Sequence, residues 1–423
     1  MTDLSLEQLR RLGREAGLDV IGATTADPFP ELADRLHSYA ERGRTGYEHA
    51  VVEDRIHPER WMPGVKSLIA AAMPYLTEAG KELAKRHPAG GGHGVVTVYS
   101  YGEDYHRVLQ RRLEALAASI EAEIGRPFAR KVSVDTSPLV DRRVAERAGI
   151  GWVAKNCMFY TEKYGSFVFI GILGVDLEVE TNDLQANDKF AAGCGDCDLC
   201  LRACPTGALV APGVIDATRC LSYITQMKGI IPREYRKALG RRVWGCDTCQ
   251  WACPINRDAS ASPHVEYLPQ GELEHPDLLA ILELTNRQFL RLYGHTAAAW
   301  RGLRTWQRNA LIALGNSRRQ DAIPHIVPFL SHPRPELRAS AAWALEQLGA
   351  RRRARRWLKP TKGRRTSRYG RIWPGRLGKE RIRDERGTAN GARGTALATA
   401  PVWDTASDRG MRRCVRGGLG CPS

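Results

Sequence analysis

The distribution of cysteine constrains the fold of this chain more than any other feature of its sequence. Eight of the eleven cysteines lie in two short runs and at one position between them: Cys194, Cys197, Cys200, Cys204, Cys220, Cys246, Cys249 and Cys253. The first run has the spacing C-x2-C-x2-C-x3-C-P, which is the spacing of the cysteines that hold [4Fe–4S] clusters in bacterial ferredoxins. The second run lacks one cysteine, and Cys220 restores the total to the eight that two such clusters require.

The spacing also predicts how the eight ligands are shared. Three thiolates on one tight loop can bind three irons of a cube, so that the fourth must come from elsewhere. In two-cluster ferredoxins the cysteine before the proline crosses to the other cluster. One cluster is therefore expected on Cys194, Cys197, Cys200 and Cys253. The other cluster is expected on Cys204, Cys220, Cys246 and Cys249.

Two other uses of these cysteines fit the sequence less well. Zinc sites also contain CxxC pairs, but a zinc ion takes four ligands and needs no third cysteine at the same spacing. Disulfides are disfavoured in a reducing cytosol. We therefore predict an electron relay. Cys157 is expected to be a small buried apolar residue, and no role is assigned to Cys414 and Cys421.

The residues before the relay alternate between strand and helix patterns. We expect a helix within residues 4–22 leading into a strand at 19–24, a second helix around 31–43, and strands at 67–75, 95–101 and 166–179. Residues 104–125 carry apolar side chains at the i, i+3, i+4 spacing of an amphipathic helix. This alternation predicts an α/β layer of about 180 residues.

The segments after the relay are helical in pattern. Residues 308–316 and 338–349 resemble each other and suggest a short HEAT-type solenoid, with an ordinary helical bundle as the alternative. The expected domains are an α/β catalytic region at 1–185, a ferredoxin-like region at 186–260, a HEAT-like module at 261–350 and a basic tail at 351–423.

The basic excess of the chain is confined to the tail. Residues 351–423 contain 21 of the 63 Lys and Arg residues and 5 of the 47 Asp and Glu residues, which accounts for the whole net charge of +16. The tail lacks apolar periodicity, so we expect it to be disordered. The N-terminus has no signal-peptide core, and the longest apolar stretch, residues 167–175, is too short to span a bilayer. We therefore expect a cytoplasmic protein.

Four stretches in a fixed order resemble the epoxyqueuosine reductase family. They are "VDTSPLVDRRVAERAGIGWVAKN" at 134–156, the paired cysteine runs, "RCLSYITQMKGIIP" at 219–232 and the two closing helical segments. The resemblance covers about residues 5–350. It implies a cobalamin-dependent enzyme with two [4Fe–4S] clusters that reduces epoxyqueuosine to queuosine in tRNA anticodons, the last step of queuosine synthesis.

The resemblance also implies roles for individual residues. Asp135 follows a probable strand at 129–134 and matches the proposed proton donor of the family, a role that requires its pKa to be raised by burial. Without the resemblance, Asp-Thr-Ser-Pro is an ordinary turn sequence. The positions expected to contact cobalamin are Arg55, Asp135, Val140, Asp141, Arg142, Ser222, Cys246 and Asp247. Gln226 and Lys228 match positions that contact tRNA.

The expected partners are a tRNA that carries epoxyqueuosine and an unidentified low-potential electron donor, and we expect a monomer. The body of the chain is electrically balanced, and its best candidate for a basic face toward tRNA is residues 232–242. This stretch carries Arg233, Arg236, Lys237, Arg241 and Arg242 against Glu234 alone. Three alternatives remain open: a reductive dehalogenase-like corrinoid enzyme, a non-catalytic ferredoxin-type electron carrier, and a tRNA-binding module whose clusters are structural.

Overall fold

The computed structural model describes residues 2–86, 91–181, 193–270 and 273–350. The basic tail, with Cys414 and Cys421, lies outside these residues. The described helices are α1 (Leu6–Glu15), α2 (Ala33–Glu41), α3 (Val52–Ile56), α4 (Pro58–Trp61), α5 (Glu78–Lys85), α6 (Tyr105–Ile124), α7 (Asp141–Arg147), α8 (Leu199–Ala203), α9 (Leu221–Gln226), α10 (Arg233–Ala238), α11 (Thr248–Trp251), α12 (Leu278–Glu283), α13 (Asn286–Tyr293), α14 (Leu303–Ser317), α15 (Ile323–Ile326) and α16 (Pro335–Gln347). The described strands are β1 (Val20–Thr25), β2 (Ser67–Pro74), β3 (Val95–Val96), β4 (Arg130–Ser133), β5 (Trp152–Val153), β6 (Phe159–Tyr160), β7 (Val168–Val175), β8 (Leu209–Ala211), β9 (Val214–Ile215) and β10 (Arg242–Trp244).

The α/β region is built on a four-stranded sheet in the order β1-β2-β7-β4. All eight residues of β2 are buried, because the strand is central and both faces of the sheet are covered. Alternate residues of β2 enter two separate hydrophobic cores, Ile69 and Met73 on one face and Leu68 and Ala72 on the other. The expected alternation of strands and helices is present. Every neighbouring pair in the sheet is antiparallel, a direction that alternation along the chain does not determine.

The long helix α6 confirms the expected helix at 104–125. The side chain of Asp104 accepts a hydrogen bond from the backbone N–H of His106 at 3.1 Å and caps the first turn. Gly125 ends the helix in the left-handed conformation at φ 70°. The six apolar positions of the predicted stripe are all completely buried: Val108, Leu109, Leu113, Leu116, Ala117 and Ile120. These residues hold α6 against the sheet and fix the position of its first residue, Tyr105.

The expected strand at 95–101 is wrong over most of its length. Val95 and Val96 form β3, which pairs with β10 in parallel, and Val98–Ser100 is a 3-10 turn. Asp247 explains the change of conformation, because its carboxylate accepts hydrogen bonds from the Thr97 hydroxyl and from the Val98 N–H. These bonds tie the end of β3 to the cysteine-rich segment.

The C-terminal module is helical, as expected. Its longer helices α14 and α16 pack so closely that a Cβ on Gly315 would lie 2.8 Å from the Cα of Ala344. Glycine is therefore required at this crossing. Among the described helices, none combines the length and the apolar composition needed to cross a membrane.

Candidate active site

A cavity of about 700 Å³ lies between the α/β region and the cysteine-rich segment. Asp135 and Tyr105 contribute to its wall from the α/β side. Four cysteines contribute to it from the opposite side: Cys204, Cys220, Cys246 and Cys249. A group that can hold a proton and a set of thiols that can bind iron therefore face the same space.

Asp135 lies in the turn between β4 and α7. Its backbone adopts the left-handed conformation at φ 53°, which few residues other than glycine, asparagine and aspartate adopt. The turn is held by a hydrogen bond in which the Ser137 N–H donates to Ser133 Oγ at 3.0 Å. This conformation brings the Asp135 side chain to the cavity wall.

The phenol of Tyr105 donates a hydrogen bond to Asp135 Oδ2. The Tyr105 ring is stacked on Phe169, with centroids 4.1 Å apart and planes 6° apart, and it is also stacked on His106 at 4.0 Å. The hydroxyl is thus held in one position against the carboxylate. No motif in the sequence marks Tyr105, although it is the first residue of α6, the helix expected at 104–125.

Burial controls the protonation of the acidic groups in the cavity. It raises the pKa of Asp135, and the opposing effects of His106, of the Tyr105 hydrogen bond and of Arg142 are smaller. Burial also raises the pKa of Asp141 well above its usual value, and the nearby Asp135 carboxylate adds to this effect. The pKa of Tyr105 is raised well above 10 by burial, so its hydroxyl remains a donor.

Four of the positions expected to contact a corrinoid lie on the cavity wall with Asp135: Arg55, Val140, Asp141 and Arg142. Arg142 donates to the carbonyl of Cys157, and Arg55 Nε donates to the carbonyl of Pro138 at 3.4 Å. Ser137 Oγ and Asp141 Oδ1 are buried on this wall with no hydrogen-bond partner. A largely apolar cavity with unpartnered polar atoms on its wall fits a large ligand with a polar periphery, as a corrinoid is.

Ser222 and Asp247 do not lie where the resemblance placed them. Both are buried behind the cavity wall, while Cys220 and Cys246 beside them line it. Burial raises the pKa of Asp247 to about 8, and its carboxylate holds Thr97 and the Val98 N–H. The expectation of a direct corrinoid contact is corrected for these two residues, which instead support the wall from behind.

The pKa values of the thiols show which cysteines influence one another, while the expected sharing of the eight ligands between two clusters stays a prediction. The pKa of Cys200 is raised to about 12 by burial and by the charges of Cys253, Cys194 and Cys197. Burial also raises the pKa of Cys220 to about 12, and the charges of Cys204 and Cys157 add to this effect.

The cysteines of the second run also influence one another's pKa values. Burial raises the pKa of Cys246, and the charge of Cys220 adds to this effect. Burial raises the pKa of Cys249 well above its usual value, and the charges of Cys246, Cys220, Cys200 and Cys204 add to this effect in that order. Among the described residues, no group of three or more His, Cys, Asp or Glu is assembled to hold a single metal ion. We call Cys204, Cys220, Cys246 and Cys249 the inner set and Cys194, Cys197, Cys200 and Cys253 the outer set.

The structure also corrects the expectations for tRNA contacts. Gln226 is completely buried and does not face solvent. Its side chain is hydrogen bonded to both Ser222 and Trp300. Lys228 is exposed. Within the expected basic face at 232–242, Arg236 and Arg242 are turned inward, because Arg236 donates to the Ile231 carbonyl and Arg242 to the carbonyls that end α10. Arg233 and Lys237 of the same stretch are exposed.

Comparison with protein families identifies three parts of the chain. Residues 55–136 match the family described as epoxyqueuosine reductase QueG, DUF1730. Residues 193–256 match a 4Fe-4S double cluster binding domain, and residues 304–361 match HEAT repeats. The HEAT match agrees with the repeat expected from sequence.

Individual relatives cover most of the chain. An epoxyqueuosine reductase of Bacillus subtilis (strain 168) is 39% identical over 345 residues, which are 81% of this chain and 87% of the relative. A crystal structure of epoxyqueuosine reductase with a tRNA-Tyr stem loop modified with epoxyqueuosine has a TM-score of 0.75 and 38% identity, covering 81% of this chain and 90% of the other. A B. subtilis structure whose catalytic aspartate loop is swung out of the active site has a TM-score of 0.74 and 37% identity, with the same coverage.

Proposed function

The chain belongs to the epoxyqueuosine reductase family, and on this premise we propose that it reduces epoxyqueuosine to queuosine in the anticodon of tRNA. It is an oxidoreductase that uses two [4Fe–4S] clusters and cobalamin. The observation that carries the proposal for this site is that Asp135 and the inner set of cysteines face one cavity. Removal of an epoxide oxygen takes two electrons and two protons and leaves an alkene and water, so both kinds of group are needed in one place.

We propose that the inner set holds the cluster nearer the cavity and that the outer set holds the other cluster. The exposure of the thiols supports a direction for electron flow. Cys197 is exposed, whereas Cys220 and Cys246 are buried. An electron donor can therefore approach the outer cluster, and the inner cluster is placed to pass electrons into the cavity.

The cavity is the proposed cobalamin site. When bound there, cobalamin supplies electrons to the epoxide. Arg55, Val140 and Arg142 would contact it, and the unpartnered Ser137 Oγ and Asp141 Oδ1 would meet its polar periphery. Burial raises the pKa of Asp141 well above its usual value and so favours the neutral form, which can donate a hydrogen bond without adding a negative charge beside Asp135.

Asp135 is the proposed proton donor to the departing oxygen. Tyr105 occupies Oδ2, which leaves Oδ1 to carry the proton toward the substrate. Because burial raises the pKa of Asp135, its protonated form persists at higher pH than it would in an exposed aspartate. Protonation avoids the release of an oxygen anion, an effect that contributes about 10²- to 10⁴-fold in rate for a positioned general acid.

Several further features of the protein are proposed together with this function. They are a cytoplasmic location, a monomeric state, an unidentified low-potential electron donor, and domain boundaries at 185, 260 and 350. We also propose that Lys228, which is exposed, contacts the tRNA backbone. Gln226 is buried and accepts a hydrogen bond from the indole of Trp300, and its contact with tRNA stays a prediction.

The function is tested by anaerobic reconstitution with iron, sulfide and cobalamin, followed by reaction with epoxyqueuosine-containing tRNA and a chemical reductant. Mass spectrometry of the nucleosides should show a product that is lighter by one oxygen atom. Failure of the fully loaded protein to form this product would contradict the function.

Asp135→Asn tests the proton donor. It should keep iron content and tRNA affinity and lose about 10²- to 10⁴-fold in turnover. Asp34→Asn, which changes an exposed carboxylate on the rim of the same cavity, is the matched control and should react at the rate of the unaltered protein. Normal turnover by the Asp135 variant would reject Asp135 as the donor and leave the overall function standing.

A further inference from the structure

An exposed tryptophan lies beside the cavity. Trp300 is 40% exposed, although it is one of the largest apolar side chains of the protein. Its ring contacts Tyr47 edge to face at 5.6 Å, and Tyr47 contacts Tyr223 in the same way at 5.3 Å. Tyr47 and Tyr223 both line the cavity. A continuous row of aromatic rings therefore runs from the cavity wall to the surface.

Arg301 places a positive charge against this row. Its guanidinium carbon lies 3.8 Å from the centroid of Trp300 and 4.7 Å from that of Tyr47. Its Nε is buried and has no hydrogen-bond partner. The charge is thus held among the rings by cation–π contacts, and a buried polar atom of the side chain is left unsatisfied.

The position of Trp300 is fixed by a hydrogen bond to the buried side chain of Gln226. Its indole Nε1 donates to Gln226 Oε1 at 3.1 Å, and Gln226 Nε2 donates to Ser222 Oγ at 3.0 Å. The following segment is anchored to α14, because Arg308 donates to the carbonyls of Met227 at 2.6 Å and Gly229 at 2.9 Å. Lys228 lies exposed between these two anchored residues. Trp300 and the segment that carries Lys228 are therefore each held in place by hydrogen bonds to neighbouring residues.

We propose that Trp300 is the stacking surface for an unpaired base of the anticodon loop next to the nucleotide that enters the cavity, and that Arg301 and Lys228 face the RNA backbone. This inference rests on the proposed function and names the residues that recognise the substrate. A nucleotide drawn into the cavity leaves its neighbour in the loop without a stacking partner. Proteins bind such bases on aromatic rings and on arginine planes, with positive charge along the backbone.

The test uses the full-length reconstituted protein and an anticodon stem-loop RNA that carries epoxyqueuosine, with binding measured by fluorescence anisotropy. Trp300→Ala should weaken binding by about 5- to 150-fold, the range found for loss of one base–aromatic stack. Trp300→Phe should retain most of the affinity, because it keeps a ring. Leu290→Ala, at another exposed apolar side chain of the helical module, is the matched control and should bind normally.

The salt dependence separates stacking from charge. Arg301→Gln should reduce the slope of log Kd against log salt concentration by about 0.7, the value for one phosphate contact to a single strand. Trp300→Ala should leave that slope unchanged. Unaltered affinity of Trp300→Ala, or equal weakening by Leu290→Ala, would overturn the proposal.

A modified RNA identifies the base. In a stem-loop with an abasic site next to epoxyqueuosine, the difference in affinity between the unaltered protein and Trp300→Ala should disappear. The same difference persisting with abasic sites on either side would refute stacking. The proposed function is judged separately, because it requires turnover by the unaltered protein, whereas this inference requires a change in RNA affinity at constant iron content and thermal stability.

Discussion

The hydrogen bond between Tyr105 and Asp135 allows the proposed role of the acid to be tested through its pKa. Tyr105→Phe removes the hydroxyl that donates to Asp135 Oδ2 and keeps the ring that stacks on Phe169 and His106. Tyr105 lines the cavity but is only 2% exposed, so water has little access to replace the lost donor. The change therefore acts on one hydrogen bond to the carboxylate with little effect on packing.

The expected magnitude follows from the charge on the acceptor. A hydrogen bond to a charged group is worth about 1.5–3 kcal/mol, and it stabilises the ionised form of Asp135. Losing it raises the pKa of Asp135 further above its already raised value. A difference of this size corresponds to an upward movement of about one to two pH units in the titration of the group.

The assay is single-turnover reduction of epoxyqueuosine in tRNA as a function of pH. A general acid must be protonated, so the rate should fall as the pH rises through its pKa. Tyr105→Phe should move this alkaline limb to higher pH and leave the rate at low pH close to that of the unaltered protein. Tyr99→Phe is the control, because Tyr99 also lines the cavity and its hydroxyl accepts from Trp244 Nε1.

Two results would refute this reasoning. An alkaline limb that stays in place or moves to lower pH in Tyr105→Phe would mean that Asp135 is not the group that titrates. The same conclusion would follow if Asp135→Asn retained the limb at its original position.

Two further predictions concern the clusters and stability. Cys253→Ser should remove the outer cluster and Cys246→Ser the inner one, and each variant should keep about four irons per chain with its own EPR signal. The control Cys157→Ser should keep both clusters. Loss of the same EPR signal in Cys253→Ser and Cys246→Ser would contradict the division into two sets. Arg308→Met should lower the free energy of unfolding by at least about 3 kcal/mol in denaturant titrations, because four hydrogen bonds to backbone carbonyls are lost in buried surroundings. The control Arg304→Met, at an exposed position of the same helix, should change the free energy of unfolding by less than about 0.5 kcal/mol.

The features that sequence predicted well depend on spacing along the chain. The stripe of α6 is set by positions three and four residues apart, so it could be found without knowing what covers it. The two cysteine runs likewise carry their own geometry. The motif itself specifies a crossing ligand, which predicts that Cys200 and Cys253 share a cluster although they are far apart in sequence. The charge of Cys253 contributes to the raised pKa of Cys200.

The features that sequence missed depend on which way a side chain turns. Arg236 and Arg242 belong to a basic stretch, yet both are bonded to backbone carbonyls. Arg236 donates to the carbonyl of Ile231, which precedes α10, and Arg242 donates to carbonyls at the C-terminal end of α10, where helical partners are lacking. Gln226 lies in a motif associated with tRNA but supports Trp300 from beneath. The partner of Asp135 could not be identified either, since Tyr105 is separated from it by thirty residues and a strand.

The left-handed backbone of Asp135 separates selection for folding from selection for chemistry. At φ 53° glycine and asparagine would sit with as little strain as aspartate or less, and neither would bury a charge there. In a library sorted for thermal stability alone, position 135 should drift toward those two residues, whereas sorting for queuosine formation should restore the acid. The turn thus marks a place where the more durable protein and the working enzyme are different sequences.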